Sequence, residues 1–252
     1  MTTSLYRALA DDLRKSIYWG ELTPGTRLPT ETELQDKYGV SRNTVRLALG
    51  LLINEGLIFT KARQGTYVRD QRPMRIMLHD DITPAQAATP EYDAFTVEMM
   101  REGRDPRQVI EVHVVHPPVE LATRLELGEE VLAAVRRRLK YVDGEPYMIN
   151  DSYFPLELVQ SSEIMDPTPI PRGANEVLRE LGHLQRTLED EIISRMPTIE
   201  ESSRMNIRPG TPVTVHIRTG REDGGLPVRV AVTVVPGDKG ILLYKIEQPC
   251  QT

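Results

Sequence analysis

Three sets of helix start and stop signals fall within the first 56 residues, and they leave room for little except three short helices in a row. Leu5, Leu9, Leu13 and Ile17 recur at helical spacing and Gly20 follows as a stop, so a first helix is expected over about Ser4–Trp19. The connector "LTPGTRLP" is broken by proline and glycine. Thr30 and Glu33 then stand three apart as a capping box, Leu34 faces inward, and Gly39 closes a second helix. Ser41 is the N-cap of a third, whose apolar stripe is Val45, Ala48, Leu49 and Leu52 and whose stop is Gly56. Two β-rich runs, "LIFTKA" and "TYVRD", follow around a turn holding Arg63, Gln64 and Gly65.

The third helix, "SRNTVRLAL", divides its chemistry by face. Residues three and four apart share a flank, so Arg42, Asn43 and Arg46 stand together, away from the apolar stripe. Arginine can grip guanine, asparagine can grip adenine, and the hydroxyls of Ser41 and Thr44 suit phosphates or a thymine methyl. Helix N-terminal amides add affinity for phosphate. A short helix packed on a preceding helix across a glycine-containing turn is a helix-turn-helix layout. The hairpin would then be a wing, with Lys61 and Arg63 toward the DNA backbone or minor groove and Gly65 allowing close approach. The competing reading is a solvated surface helix.

Charge distribution bears on that choice. The net charge is −6, yet residues 1–72 carry 11 Lys and Arg against 8 Asp and Glu, and the remainder carries 20 against 29. A local basic excess on an acidic chain is a plausible polyanion footprint.

The other 180 residues read differently. At 252 residues, 39% hydrophobic and 27% charged, the chain suits a soluble protein of one large or two ordinary domains. No apolar run is long enough to span a bilayer. The start lacks the pattern of a secretory signal, and the single cysteine, Cys250, permits no intrachain disulfide, so a cytoplasmic location is expected. Residues 71–92 mix proline, alanine and charge without periodicity and read as a linker between domains at 1–70 and 93–252. The second domain reads as α+β. A helix is expected over about Asp93–Glu102. Strands are expected at Val109–His116, Val131–Val142, Tyr147–Tyr153, Thr187–Arg195, Pro212–Arg221 and Val228–Val235, with short helices at Val119–Leu127, Ala174–Leu181 and Thr198–Asn206. Tight turns at "YVDGEPY" and "GREDGGLPV" imply a mainly antiparallel sheet, with helices on one face. No internal repeat is read. The five histidines lack the spacing of a metal site, no nucleotide-binding or hydrolase fingerprint occurs, and no cofactor or catalytic residue is expected.

Residues 4–68 resemble the N-terminal winged helix-turn-helix of GntR-family bacterial transcription regulators. The matches to "G-x-x-L-P-[ST]-E-x-x-L" are Gly25, Leu28, Pro29, Thr30, Glu31 and Leu34. Those to "[ST]-R-x-T-[VL]-R-x-A-L-x-x-L-x-x-x-G" are Ser41, Arg42, Thr44, Val45, Arg46, Ala48, Leu49, Leu52 and Gly56. The resemblance implies that Ser41, Arg42, Thr44 and Arg46 contact operator DNA and that the tip at Gln64–Gly65 enters the minor groove; Thr30 joins the candidate contacts. Thr32 departs from the pattern, since many relatives carry arginine there.

The stretch "AAVRRRLKYVDGEPYMINDSYFPLELV" resembles the UTRA effector domain of the HutC subfamily, which implies a chorismate-lyase-like fold. In such domains a pair of basic residues binds an acidic group of the effector. Aligned on Asp143-Gly144-Glu145-Pro146, the pair falls on Arg138 and Lys140, which alternate along a strand and so share a side. Asn150 and Arg229 replace two glutamates, and Ala94 stands where sugar-phosphate sensors tend to have serine. These departures argue against a phosphosugar and favour an anionic effector. Ser152, Tyr153 and Glu191 are further candidates for the pocket. The alternative for Arg136–Lys140 is cross-strand pairing with Glu189, Asp190 and Glu191.

The expectation is a homodimeric repressor released from a palindromic operator by a small molecule. Two readings from other classes remain: a regulator controlled by a protein partner or without a small ligand, and a lyase-type enzyme with a DNA-binding appendage.

Overall fold

Helix caps and a glycine stop shape the N-terminal unit of the computed structural model, which describes residues 4–61, 64–69, 74–77, 91–207 and 209–244. Helix α1 spans Leu5–Tyr18, α2 Glu31–Tyr38 and α3 Arg42–Asn54. Both halves of the Thr30–Glu33 capping box form, and Gly39 takes the left-handed conformation (φ 62°) that a β-carbon would disfavour. Ser41 caps α3 by accepting from the Thr44 N–H. Val45, Ala48, Leu49 and Leu52 are buried as their spacing predicts, and they meet Leu9 and Leu13 of α1 and Leu34 of α2. Strands β1 (Ile58–Lys61) and β2 (Gly65–Val68) form an antiparallel hairpin with Ile58 opposite Val68. The connector supplies a third edge: the Leu28 N–H donates to the Thr66 carbonyl at 2.8 Å, and the Val68 N–H donates to the Thr26 carbonyl at 2.8 Å.

The chain divides into two compact units, Met1–Pro73 with Arg208–Gly210, and Met74–Ile207 with Thr211–Thr252. Strand β3 (Met74–Met77) lies in the stretch expected to be linker, yet it pairs in parallel with β10 (Gly240–Leu243), 166 positions on from Met74 to Gly240. The linker expected over 71–92 is therefore corrected at residues 74–77; residues 78–90 lie outside the described residues. Neither strand has an alternating pattern long enough to announce itself, and parallel pairing leaves no hairpin turn to read.

The remaining elements are α4 (Ala94–Arg101), β4 (Pro106–Val115), α5 (Val119–Arg124), β5 (Ala133–Val142), β6 (Glu145–Pro155), α6 (Leu156–Val159), a 3-10 turn at Glu163–Met165, α7 (Ala174–Glu180), β7 (Thr187–Arg195), α8 (Ile199–Arg204), β8 (Val213–Arg221) and β9 (Pro227–Pro236). Six strands form one antiparallel sheet in the order β4-β5-β6-β9-β8-β7. That order is a duplication. The strand–helix–strand–strand run of β4, α5, β5 and β6 recurs as β7, α8, β8 and β9, and β6 pairs with β9 at the join. The offset is 80 positions: Val119 and Ile199 begin the two helices, Ala133 and Val213 the next strands, and Glu126 and Asn206 take left-handed φ of 54° and 50° after each helix. The sequence reading of no repeat is thus corrected. The halves share burial pattern and turn geometry while their residue types have diverged.

Helices pack on both faces of the sheet, not on one. Leu121 and Leu125 at α5 and Met205 after α8 cover one face, over Val135, Leu139, Ile149, Val215 and Val234. On the opposite face, α4 brings Met99 and Phe95 to Val142, Met148 and Val235. At the far end of that face, α6, the 3-10 turn and α7 cover Ala134 and Phe154.

Candidate nucleic-acid interface and effector site

The outer flank of α3 is open. Ser41, Arg42, Asn43 and Arg46 are exposed and Thr44 is half-buried. Ser41 and Thr44 are joined through their hydroxyls at 2.9 Å, which spends part of their bonding capacity on the cap. Arg42 donates from Nε to Glu31 at 2.7 Å, and its side chain is still 72% exposed. Nε is anchored, and the terminal nitrogens make no hydrogen bond among the described residues. Arg46 has no ion pair among the described residues. Thr30 is exposed, but its side chain serves the α2 cap. Thr32 is exposed and uncharged.

On the hairpin, the Lys61 ammonium lies over the Tyr67 ring at 5.3 Å and the Phe59 ring at 5.6 Å, a cation–π arrangement that holds it at the surface. Gln64 is exposed and its carbonyl accepts from the Tyr67 hydroxyl at 3.1 Å. Gly65 takes φ +115°, and a β-carbon there would stand 2.8 Å from Arg27 Nε. Arg63 lies outside the described residues. Arg27 is a cation at the wing tip that sequence reasoning missed. Its signal was slight, an arginine inside a Pro/Gly connector, and only the bridge between Arg27 and Tyr67 brings it to the hairpin.

In the second unit, Arg138, Lys140, Asn150, Ser152 and Arg229 come together on the face that carries α4 and α7. Strand alternation puts Arg136, Arg138 and Lys140 on that face. Arg138 donates to the Asn150 side-chain oxygen, and the Asn150 amide donates to Thr233 at 2.6 Å. Lys140 is 7% exposed, with its ammonium 4.1 Å from the Phe95 ring centre. Burial pushes the Asp93 carboxyl upward, but Lys140, the Thr96 amide and Arg138 outweigh it and hold the group at about 2. Arg229 donates to Ser152 at 3.0 Å and to Asn175. Arg136 is a structural group: its guanidinium donates to the carbonyls of Ile164, Asp166 and Thr168. Burial, with Arg138 nearby, lowers it to about 10.

Two expected pocket residues belong to the other face. Tyr153 is buried in the apolar cluster under α5 and α8. Glu191 pairs with Arg124 of α5, accepting from Nη2 at 3.1 Å as well as from Nη1. Each lies one residue off the alternation that would turn it to the cationic face. The cross-strand reading is also corrected, because β6, β9 and β8 separate β5 from β7. Asp190 serves Arg218 and His216, both missed in the sequence. Among the described residues no group of three His, Cys, Asp or Glu is placed to hold a metal, and no helix is long and apolar enough to cross a membrane.

Three helices with a hairpin wing, followed by an antiparallel-sheet unit with a polar band across one face, define a two-part DNA-binding transcription regulator. The pattern of bacterial regulatory proteins of the gntR family matches residues 5–68, and that of the UTRA domain matches residues 102–240. An uncharacterized HTH-type transcriptional regulator of Streptomyces coelicolor is 30% identical over 250 residues, covering 97% of this chain and 93% of that one. The mannosyl-D-glycerate transport/metabolism system repressor MngR of Escherichia coli is 29% identical over 86% of this chain and 85% of its own. The HTH-type transcriptional repressor NagR of Bacillus subtilis is 27% identical over 97% and 95%. A crystal structure of a GntR-family transcriptional regulator aligns with TM-score 0.62 at 27% identity, covering 98% and 99%. PhnF from Mycobacterium smegmatis shares the fold, with TM-score 0.58 at 16% identity over 96% and 100%. The chain belongs to the gntR family and carries a UTRA domain; it is a regulator and not an enzyme.

Proposed function

We propose that this protein is a cytoplasmic, homodimeric repressor of the HutC subfamily, with domains near the expected bounds, released from a palindromic operator by a small anionic effector. Two winged helices would read half-sites in successive major grooves, as two-fold proteins do. The observation that carries the reading is the separation on α3: Arg42, Asn43 and Arg46 exposed on one flank, Val45, Ala48, Leu49 and Leu52 buried on the other. Ser41, Thr44 and Thr30 would bond phosphates from the helix starts, and Lys61, Arg63, Gln64 and Gly65 would follow the wing into the minor groove. The relatives named as repressors support the sign of regulation. Arg138 and Lys140 would hold the effector's anionic group, with Asn150, Ser152 and Arg229 beside them. Asn150 and Arg229 in place of carboxylates disfavour a phosphosugar.

Selection of duplexes from random DNA, followed by titration of the best one, tests the first half. A selected site without two-fold symmetry would reject the dimeric reading. A thermal-shift screen of acidic metabolites tests the second, since a specific binder raises apparent stability by mass action. A hit should lower operator affinity, and Arg138→Ala should abolish that response with DNA binding intact. No hit would favour control by a protein partner.

A further inference from the structure

The 80-position offset between the halves of the sheet relates chemistry as well as strands. Arg138 on β5 corresponds to Arg218 on β8. Opposite Arg218 on the edge strand stands Asp190. Its carboxylate accepts from Arg218 Nε at 2.7 Å and Nη2 at 2.8 Å, bonds His216 Nε2 at 2.8 Å, and accepts from the Tyr244 hydroxyl. The Arg218 and Asp190 side chains are only 3% and 9% exposed. Such a set of donors around one buried carboxylate is an oxyanion cradle, already filled from within.

In the first half, the position that corresponds to Asp190 is Ile110, and it stands opposite Arg138. The β4 edge strand therefore offers no carboxylate there. Arg138 donates to the neutral Asn150 oxygen, its Nε is buried without a hydrogen-bond partner among the described residues, and the carboxylates its charge acts on, Asp93 and Asp151, form no ion pair with it. Both halves thus place an arginine at the same strand position, and they differ in whether the edge strand brings its own anion. A half-buried guanidinium with no carboxylate bonded to it keeps donors for an anion from outside.

We infer that the second half of the effector domain is a masked carboxylate site, with Asp190 standing in for an external anion, and that Ile110 and Asp190 at equivalent edge positions decide which arginine remains open to the effector. The open half rests on the reading of Arg138 given above. The masked half stands on its own geometry. Asp190 presents a planar carboxylate side-on to Arg218, so the unmasked site would take a small carboxylate such as formate.

Five full-length proteins test this by thermal unfolding against sodium formate, with sodium chloride at equal ionic strength as control for screening. They are wild type, D190A, I110D, R138A, and D190A combined with R138A. In D190A, formate fills the space the side chain vacates. The melting temperature should fall relative to wild type, then recover with formate in a saturable way, and the recovery should persist when Arg138 is also removed. I110D places a carboxylate beside Arg138, and any formate response of the wild type should vanish. A double variant stabilised equally by formate and chloride would overturn the inference. So would a wild-type formate response that I110D retains. If D190A fails to fold in buffer, refolding is attempted with and without formate: recovery only with formate supports the masked site, and failure in both passes the test to D190S, for which indifference to formate overturns it. Failure of the effector reading looks different: wild type and R138A would then be alike in every anion while D190A still responded to formate.

Discussion

Replacing Glu31 with glutamine would show whether the contact between α2 and α3 aims a DNA-reading arginine or merely neutralises it. Glu31 accepts from Arg42 Nε at 2.7 Å, and their side chains are 35% and 72% exposed. Exposed pairs of this kind contribute about 0.2–1 kcal/mol. Loss of that amount of pre-organisation lowers affinity for the selected operator roughly 1.4- to 5-fold. Glu31 is also a carboxylate that faces whatever phosphate approaches Arg42, so its removal should raise affinity for random duplex. The expected signature is opposite movement: specific binding weaker, non-specific binding unchanged or tighter, and the ratio reduced. Glu31 lies in the first turn of α2, where an acidic side chain adds about 0.3–1 kcal/mol through the helix dipole, so a small drop in melting temperature should accompany the change. Fluorescence anisotropy with labelled operator and scrambled duplex, over a series of salt concentrations, reads all of these. If E31Q raises both affinities by the same factor, Glu31 only repels DNA and does not orient Arg42.

R46A should reduce operator affinity by about 1–3 kcal/mol with relaxed preference at one base pair if Arg46 reads a base, or flatten the salt dependence by about one unit of slope if it binds phosphate; wild-type binding on both counts would remove α3 from the interface. T30A should destabilise the N-terminal unit by about 0.5–2 kcal/mol, since the hydroxyl's bonds with the Glu33 N–H and carboxylate are lost while the Thr30 N–H still donates to Glu33, and an unchanged unfolding midpoint of that unit would show the cap to be idle. Burial lifts the Asp151 carboxyl to about 6, against the opposing pull of Arg204 and Arg137. With a raised folded value, the folded state holds the extra proton, so stability should increase as pH falls from about 7 toward 4, by an amount on the order of 3 kcal/mol at most. D151N should abolish that gain, and a melting-temperature difference between pH 7 and pH 5 that survives in D151N would assign it elsewhere. Asp190 works in the opposite direction: burial raises it, but bonds from Arg218, Tyr244 and His216 hold it well below the usual carboxylate range. Its contribution is present above the ordinary unfolded value of about 3.9 and is lost only in stronger acid, so D190N should flatten the acid limb of the unfolding profile below about pH 4.

Local chemistry explains what was legible in the sequence. Capping, glycine stops and helical spacing act within four residues, so α2 and α3 could be read closely, together with the exposed flank that makes α3 a DNA-reading candidate. Alternation and tight turns did the same for the six long strands, and Thr187–Arg195 was expected with the bounds that β7 has. Arg138, Lys140 and Asn150 were found from a motif and then met on one face, because period-two alternation is also local.

The order of strands was not local. Which strand lies beside which depends on contacts as far as 166 positions apart, such as Met74 with Gly240, and no spacing rule encodes them. Hence the duplication, the parallel pairing of β3 with β10, and the neighbours of Asp190 emerged only in three dimensions. Tyr153 and Glu191, candidates for the pocket, lie on the face opposite Arg138 for a related reason: in a sheet covered on both sides, apolar and polar side chains alternate without marking which face is which. The sequence by itself determined most of the elements, the candidate reading helix and a cationic strand. Tertiary structure decided which cations are matched by the protein's own carboxylates, because that depends on what the adjacent strand places opposite each one: aspartate facing Arg218, isoleucine facing Arg138.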